Sequence, residues 1–190
     1  MSVEPKRKAQ LIEATIHEIG QSGSLNVSVG TIARRAGVSP ALAFHYFGDK
    51  EHLFLAAMRQ VLTTYGQEIR SALKASNDPK IRLRALIQAS FSASNYRTDV
   101  IAAWLNFYVL AQQDPQVKRL LSIYHRRLRS NLLHDLKLLV GARAPDIAQR
   151  IGGLIDGLYL RHAINPQDMN GESASAHVLA ALDMEIGDVE

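Results

Sequence analysis

Gly37 constrains this chain more than any other residue. It stands in Ala36-Gly37-Val38-Ser39-Pro40, between two apolar stretches that are very short for helices. A residue without a side chain tolerates the left-handed conformation of a tight turn, so Gly37 ends the first stretch. Ser28 can accept from the free amides of the turn that follows it, which starts that first helix with Ile32, Ala33 and Ala36 facing inward. Val38 supplies a small apolar plug beneath the turn. Ser39 then caps a second helix, with Pro40 at its first position, where a missing amide costs nothing. Two short helices across a glycine turn form a helix-turn-helix. The second, Pro40 to Phe47, is short enough for its leading side chains to reach base edges.

Around this unit the pattern is helical, with no convincing strand alternation. Ala9, Ile12, Ile16 and Ile19 mark a first helix that stops near Gly20 and Gly23. Asp49 can cap a long helix that runs to about Leu73. Leu53, Ala57, Val61 and Tyr65 mark its face, and Phe54, Met58, Leu62 and Ile69 widen it. Ser76-Asn77-Asp78-Pro79 is a break with Pro79 placed to begin a new helix. Further helices are expected over about 79–94, 98–113, 115–140, 145–164 and 173–186, separated by Asp114-Pro115, Ala144-Pro145 and Asn165-Pro166, with a frayed tail after Ile186. The expected fold is all-α: a three-helix unit over 7–67 that carries the helix-turn-helix, then a larger helical bundle over 68–190.

Composition narrows the function. Apolar residues make up 47% of the 190 and charged residues 21%, which suits a globular chain. There is no cysteine, which excludes disulfides, thiolate metal sites and a cysteine nucleophile. Met1 to Lys8 is polar and basic with no apolar stretch after it, and no run approaches the roughly 20 apolar residues of a membrane span, so a cytoplasmic protein is expected. A net charge of +4 favours an anionic partner without naming it.

Thr31-Ile-Ala-Arg-Arg-Ala-Gly-Val-Ser39, followed by His45-Tyr46-Phe47-Gly-Asp49-Lys50 and Leu53, resembles the DNA-binding signature of TetR-type repressors. The resemblance implies that Pro40, Ala41, Leu42 and Phe44 approach bases. His45, Tyr46 and Lys50 would hold phosphates, with Ser28, Thr31 and Arg34 supporting from the preceding helix; the capping Ser39 counts among the DNA-binding residues. Tyr46 can donate to a phosphate oxygen, and Lys50 adds charge at a helix start rich in free amides. Two positions depart from the family, which often has leucine at Ala43 and an aromatic alcohol at Phe44. That shifts readout toward thymine methyls or DNA shape. Arg34 and Arg35 alone would make an ordinary solvated face.

In the larger bundle, Trp104 and Tyr108 lie one turn apart with Phe107 beside them, and Phe91 and Tyr96 precede them. Ring faces carry negative potential, so a chamber of them suits a quaternary ammonium ion; a core filled with large rings is the alternative. Ala103-Trp-Leu-Asn-Phe-Tyr108, the run from Arg119 to Leu128 with Ser130-Asn-Leu132, and Leu154-Ile-Asp-Gly-Leu-Tyr-Leu-Arg161 resemble the regulatory domain of BetI-type repressors. That subgroup represses choline uptake and conversion to glycine betaine, and choline relieves it. The resemblance implies choline as effector, with Trp104 and Tyr108 foremost in its cage, then Phe91, Tyr96, Asp156 and Tyr159. Asp156 could supply a countercharge or serve as an ion pair or cap. A different small or cationic ligand, such as a drug or metabolite, is the alternative. Gly152-Gly153-Leu-Ile-Asp-Gly157 removes bulk where another helix could approach, and in the resembled family the last two helices form the dimer. Ile151, Gly153, Leu154, Gly157 and Leu158 are the expected interface. His125, Arg126, Arg127 and Arg129 read as a solvated or inter-helix face.

An enzyme would need chemistry the sequence does not offer: a phosphate-cradling glycine loop, a nucleophile elbow, or a second histidine in zinc-motif spacing after His17-Glu18. The histidines form no metal-ligand pair, so no metal or cofactor is expected. A protein-binding adaptor would not need the capped short helices. The reading is therefore a homodimeric repressor on double-stranded operator DNA, with the helix after Asp49 carrying the effector's influence to the reading head.

Overall fold

The computed structural model describes residues 3–187. Among them are nine α-helices and no strand: α1 (Val3–Ser22), α2 (Val29–Arg35), α3 (Pro40–Phe47), α4 (Lys50–Leu73), α5 (Pro79–Ser90), α6 (Thr98–Leu110), α7 (Pro115–Val140), α8 (Ala144–Ile164) and α9 (Gly171–Ile186). The fraying expected beyond Ile186 falls mainly on 188–190, outside the described residues. No helix among those described is long and apolar enough to cross a membrane.

Caps explain where helices begin. The Asp78 carboxylate accepts from the Ile81 amide at 2.9 Å and Pro79 opens α5. Asn170 accepts from the Ser173 amide at 2.8 Å while the Ser173 hydroxyl accepts from the Asn170 amide at 3.1 Å. This reciprocal box starts α9 two residues earlier than the apolar pattern indicates. α5 and α6 end earlier than expected, at Ser90 and Leu110. Phe91 and Ser92 turn back onto the Gln88 and Ala89 carbonyls, and Gln112 and Gln113 onto Val109 and Leu110. A 3-10 turn at Gly141–Arg143 leads into α8.

The chain divides into two compact units. The first takes residues up to Thr63 together with Thr98–Leu120; the second takes Thr64–Arg97 and the residues from Leu121 on. α6 thus packs with the helix-turn-helix, against α1.

In the first unit, α1 buries Leu11, Ala14, Thr15, Ile16 and Ile19. The expected face is rotated: Ala9 is exposed and Ile12 half-buried, because the inner stripe runs along Leu11, Thr15 and Ile19. Thr15 donates its hydroxyl to the Leu11 carbonyl at 2.7 Å, which leaves its methyl to pack like an apolar residue. α1 ends at Ser22, just before Gly23 at φ +62°, and runs through Gly20. A Cβ there would lie 2.4 Å from the Cα of Asp99, so Gly20 lets the start of α6 close onto α1. His17 Nδ1 lies 3.3 Å from the Asp99 carboxylate beside that contact. α2 seats Ile32, Ala33 and Ala36 inward, as their spacing predicts.

In the second unit the Arg82 guanidinium donates to Asp135 at 2.8 Å and to the Leu73 carbonyl at 2.5 Å, tying the last turn of α4 to α5 and α7. A Cβ at Gly171 would lie 2.3 Å from the Phe91 carbonyl oxygen, so the start of α9 closes onto the end of α5.

Two glycines in helix interiors should respond oppositely to alanine. Gly66→Ala meets only the mobile end of Arg70, at 3.4 Å, and should stabilise by up to about 1 kcal/mol. Gly20→Ala meets backbone and should destabilise by about 1–3 kcal/mol despite its propensity gain. Urea unfolding of the two variants measures both signs; a stabilised Gly20→Ala protein would remove the α1–α6 seat.

Candidate nucleic-acid interface and aromatic cluster

The reading helix is held from both ends. Gly37 has φ +65°, its amide donates to the Arg34 carbonyl, and the Val38 amide donates to Ala33 at 3.0 Å. The Ser39 hydroxyl accepts from the Leu42 amide at 3.2 Å, and Pro40 is the first helical residue. At the far end Gly48 has φ +83° and donates to the Phe44 carbonyl at 2.7 Å. Both turns need the left-handed region that glycine enters without strain.

Ala43 is the only fully buried residue of α3, at 2% exposure, and Tyr46 and Phe47 flank it half-buried. Pro40, Ala41, Phe44 and His45 are exposed and share the opposite face. Phe44 keeps 48% of its surface in water, which contributes nothing to the fold. Leu42 stands half-buried at the edge of this face. The departure at Ala43 is therefore a packing change and not a readout change, because that side chain points into the core. The departure at Phe44 does face outward.

The cations around α3 differ in their commitments. Arg35 is tied to Glu18 of α1, whereas Arg34 is exposed on the same turn of α2. Ser28 accepts from the Thr31 amide at 3.0 Å and its hydroxyl lies 2.9 Å from that of Thr31, placing both at the head of α2. Lys50 Nζ lies 5.2 Å from the Phe54 ring centroid. The start of α4 is not a set of free amides, however. Asp49 accepts from the His52 amide at 2.8 Å, and this bond, with the His52 ring, holds its carboxyl below the usual range. The His52 amide is thus committed to Asp49, and Lys50 adds its charge beside it. The sequence reading did not single out two further cations nearby: Lys8, whose Nζ sits 5.4 Å from the Tyr46 ring centroid and pairs with Glu4 at 2.7 Å, and Arg7, which donates to the Gly37 carbonyl at 3.4 Å. The signal was the basic run Lys6-Arg7-Lys8 just before the first apolar stripe.

The expected effector residues fall into two groups. Trp104 and Tyr108 pair on α6 in the first unit, with ring centroids 5.9 Å apart. Phe91, Tyr96 and Tyr159 come together in the second: Phe91 stacks on Tyr159 at 5.5 Å, and Tyr96 lies 5.4 Å and 5.6 Å from them. The Tyr159 hydroxyl donates to the Ser90 carbonyl, and burial pushes its phenol well above the ordinary value, with Tyr65, Tyr96, Asp156 and Glu68 adding to the effect. Burial also pushes Tyr65 up to about 12. Asp156 accepts from the Tyr124 hydroxyl at 3.2 Å and lies 3.5 Å from His125. His162, read only as one of the scattered histidines, lies against Tyr96 with ring centroids 4.3 Å apart. Its spacing of three from Tyr159 on α8 was the available clue.

Of the expected interface residues, Gly153 and Leu154 are exposed and Gly157 half-buried, and a Cβ at Gly153 or Gly157 meets nothing. Ile151 and Leu158 do not share that face. They are 0% and 9% exposed and, with Ile155, form the inner stripe of α8 that packs within the chain. Arg126, Arg127 and Arg129 are exposed, as a solvated face requires. Among the described residues no cluster of histidines and carboxylates is arranged to hold a metal ion.

Residues 11–57 match the tetR family of bacterial regulatory proteins, and residues 79–187 match the BetI-type transcriptional repressor C-terminal family. The chain is 50% identical over 179 residues to the HTH-type transcriptional regulator BetI of Brucella canis, covering 94% of this chain and 90% of that protein. It is 42% identical over 190 residues to the regulator of that name from Agrobacterium fabrum, covering 98% and 91%. A transcriptional regulator from Pseudomonas aeruginosa PAO1 superposes with a TM-score of 0.82 at 27% identity, covering 97% of this chain and 92% of its own. One from Saccharomonospora viridis, solved in complex with choline, superposes with a TM-score of 0.81 at 20% identity, covering 93% and 95%.

The contrast between neighbouring cations is testable. Lys50→Ala and Arg34→Ala should each weaken binding to specific and non-specific DNA alike and make the log–log salt slope shallower by about one. Arg35→Ala should leave the slope unchanged and lower only the melting temperature. Anisotropy titrations at several salt concentrations read the slopes.

Proposed function

Because the chain belongs to the TetR family of bacterial regulatory proteins, with the C-terminal domain of its BetI-type repressors, we propose that it is a dimeric operator-binding repressor released by choline. Its targets would be genes for making glycine betaine from choline, and its place the cytoplasm, where the operators are. The observation that carries the DNA reading is α3: an eight-residue helix capped at both ends, buried through Ala43 and presenting Pro40, Ala41, Phe44 and His45 outward. Phe44 offers thymine methyls an apolar contact, and Tyr46, Lys50, Arg34 and the Ser28–Thr31 hydroxyls hold the flanking phosphates.

Choline is the effector this reading names. The relatives bear the BetI name, and a structural neighbour was solved with choline. A quaternary ammonium cannot donate a hydrogen bond from its nitrogen, so it is held by ring faces and diffuse negative charge. Phe91, Tyr96 and Tyr159 supply rings, and the Asp156 and Glu68 carboxylates act electrostatically on Tyr159. Trp104 with Tyr108 is the second ring pair assigned to the effector.

Release follows from two-state coupling. α4 is one continuous helix of 24 residues with Lys50 at its first turn and Tyr65 and Glu68 farther along, so a ligand that favours one position of it acts on the phosphate anchors. In a two-fold dimer the reading helices must lie about 34–36 Å apart to enter successive major grooves. A coupling of about 1–3 kcal/mol changes operator affinity roughly 5- to 150-fold. The dimer is assigned to α8 and α9, where Gly153, Leu154, Leu160, Ile164 and Met184 are exposed and Gly157 is half-buried.

Two outcomes test this. Millimolar choline should weaken binding to a selected palindromic operator by about tenfold or more, and Trp104→Phe, which keeps a ring at this buried position, should blunt that response while leaving choline-free affinity within a few-fold. An operator affinity that ignores choline in the wild-type protein would sink the effector and leave the DNA reading standing. Gly153→Leu should give a folded monomer by sedimentation with palindrome binding lost, since the added side chain meets open space within the chain and a partner only across the dimer. A dimeric variant would move the interface elsewhere.

A further inference from the structure

We propose that Tyr96 and His162 form a hydroxyl-reading pair, a subsite that accepts an alcohol on a small cationic ligand and refuses a carboxylate. The inference rests on the effector reading and adds to it the group that distinguishes one quaternary ammonium from another.

Both side chains are more than nine-tenths buried, at 7% and 6% exposure. The Tyr96 hydroxyl and His162 Nε2 are both enclosed and have no hydrogen-bond partner among the described residues. Buried polar atoms are normally paired, and these two belong to rings whose centroids lie 4.3 Å apart. The state of each is set by its surroundings. His162 Nδ1 lies 3.0 Å from the Met169 carbonyl oxygen, which can only accept, so Nδ1 carries a proton and, in the neutral ring, Nε2 presents a lone pair. Burial pushes the Tyr96 phenol up, so it keeps its proton and can donate.

The two rings in contact therefore offer one donor and one acceptor. An alcohol oxygen can accept from Tyr96 and donate to His162 Nε2, satisfying both. An aldehyde can only accept and leaves the imidazole lone pair unmatched. A carboxylate sets negative oxygen against that lone pair. Choline carries an alcohol where its oxidation products carry an aldehyde and a carboxylate, so the pair would let the protein sense the substrate of that oxidation and ignore its product. The neighbouring Phe91 and Tyr159 rings, next to Tyr96, are where the ammonium end would rest.

Calorimetric titration of the full chain with choline, propyltrimethylammonium and glycine betaine tests this, because propyltrimethylammonium keeps the cation and replaces the hydroxyl by a methyl. The wild-type protein should bind choline at least about tenfold more tightly than either other ligand. Tyr96→Phe removes only the hydroxyl. His162→Asn keeps an N–H for the Met169 carbonyl while removing the Nε2 acceptor. Each should bring the choline-to-propyltrimethylammonium ratio close to one without weakening propyltrimethylammonium. Equal wild-type affinity for the two ammonium ions overturns the pair and leaves the ring site intact. A ratio that survives Tyr96→Phe in a protein of normal melting temperature also overturns it, whether or not His162→Asn folds. If none of the ligands binds, the effector reading falls and the pair with it.

Discussion

An eight-residue helix has no stability of its own in water, and the proposed reading of bases runs through one. Nucleation costs more than so few hydrogen bonds return, so α3 exists only because its surroundings fix it. Gly37 and Gly48, both at positive φ, turn the chain sharply at its two ends, Ser39 satisfies its first free amide, and Ala43 anchors it to the core. A single small buried residue leaves most of the helix surface uncommitted. That is why Pro40, Ala41, Phe44 and His45 can face outward together, and why the family departure at Ala43 concerns seating and not readout.

What holds α3 is itself held. α2 packs on α1, and α1 packs on α6, where Gly20 lets the backbone of Asp99 approach and His17 meets the Asp99 carboxylate. α6 is therefore part of the reading head's compact unit although it follows the α4–α5 segment in the chain. The helix carrying Trp104 and Tyr108 is the one seated against α1, which gives the proposed coupling a second element besides α4. A rigid contact of this kind passes on a displacement because packed helices shift between discrete arrangements instead of deforming.

The local rules of caps and turns were the legible part of the sequence. Ser28, Gly37, Ser39, Pro40, Asp49, Asp78 and Pro79 each do what their chemistry dictates within a few residues of themselves, so α2, α3 and the starts of α4 and α5 could be read directly. Long-range partners were not legible. Gly20 reads as a terminator until Asp99, far along the chain, shows it to be a seat. Thr15 reads as polar until its hydroxyl turns back onto Leu11. Ile151 and Leu158 look like interface beside Gly153, and only the direction of the inner stripe of α8 assigns them to the core. His162 gives no signal until Met169 fixes its proton and Tyr96 lies against it. Nor was it legible that α6 joins the compact unit of α1 to α3, since compactness depends on which helices meet and not on their order.

The central claim is that the effector moves the two reading helices relative to each other. The chain has no cysteine, so Ala41→Cys places one spin label on the exposed face of each α3, and pulsed electron resonance reads the distance between them in the dimer. The coupling predicts a distribution that admits a spacing of about 34–36 Å between helix centres without choline and shifts by several ångströms on saturation. A distribution unchanged at choline concentrations that saturate binding would contradict it.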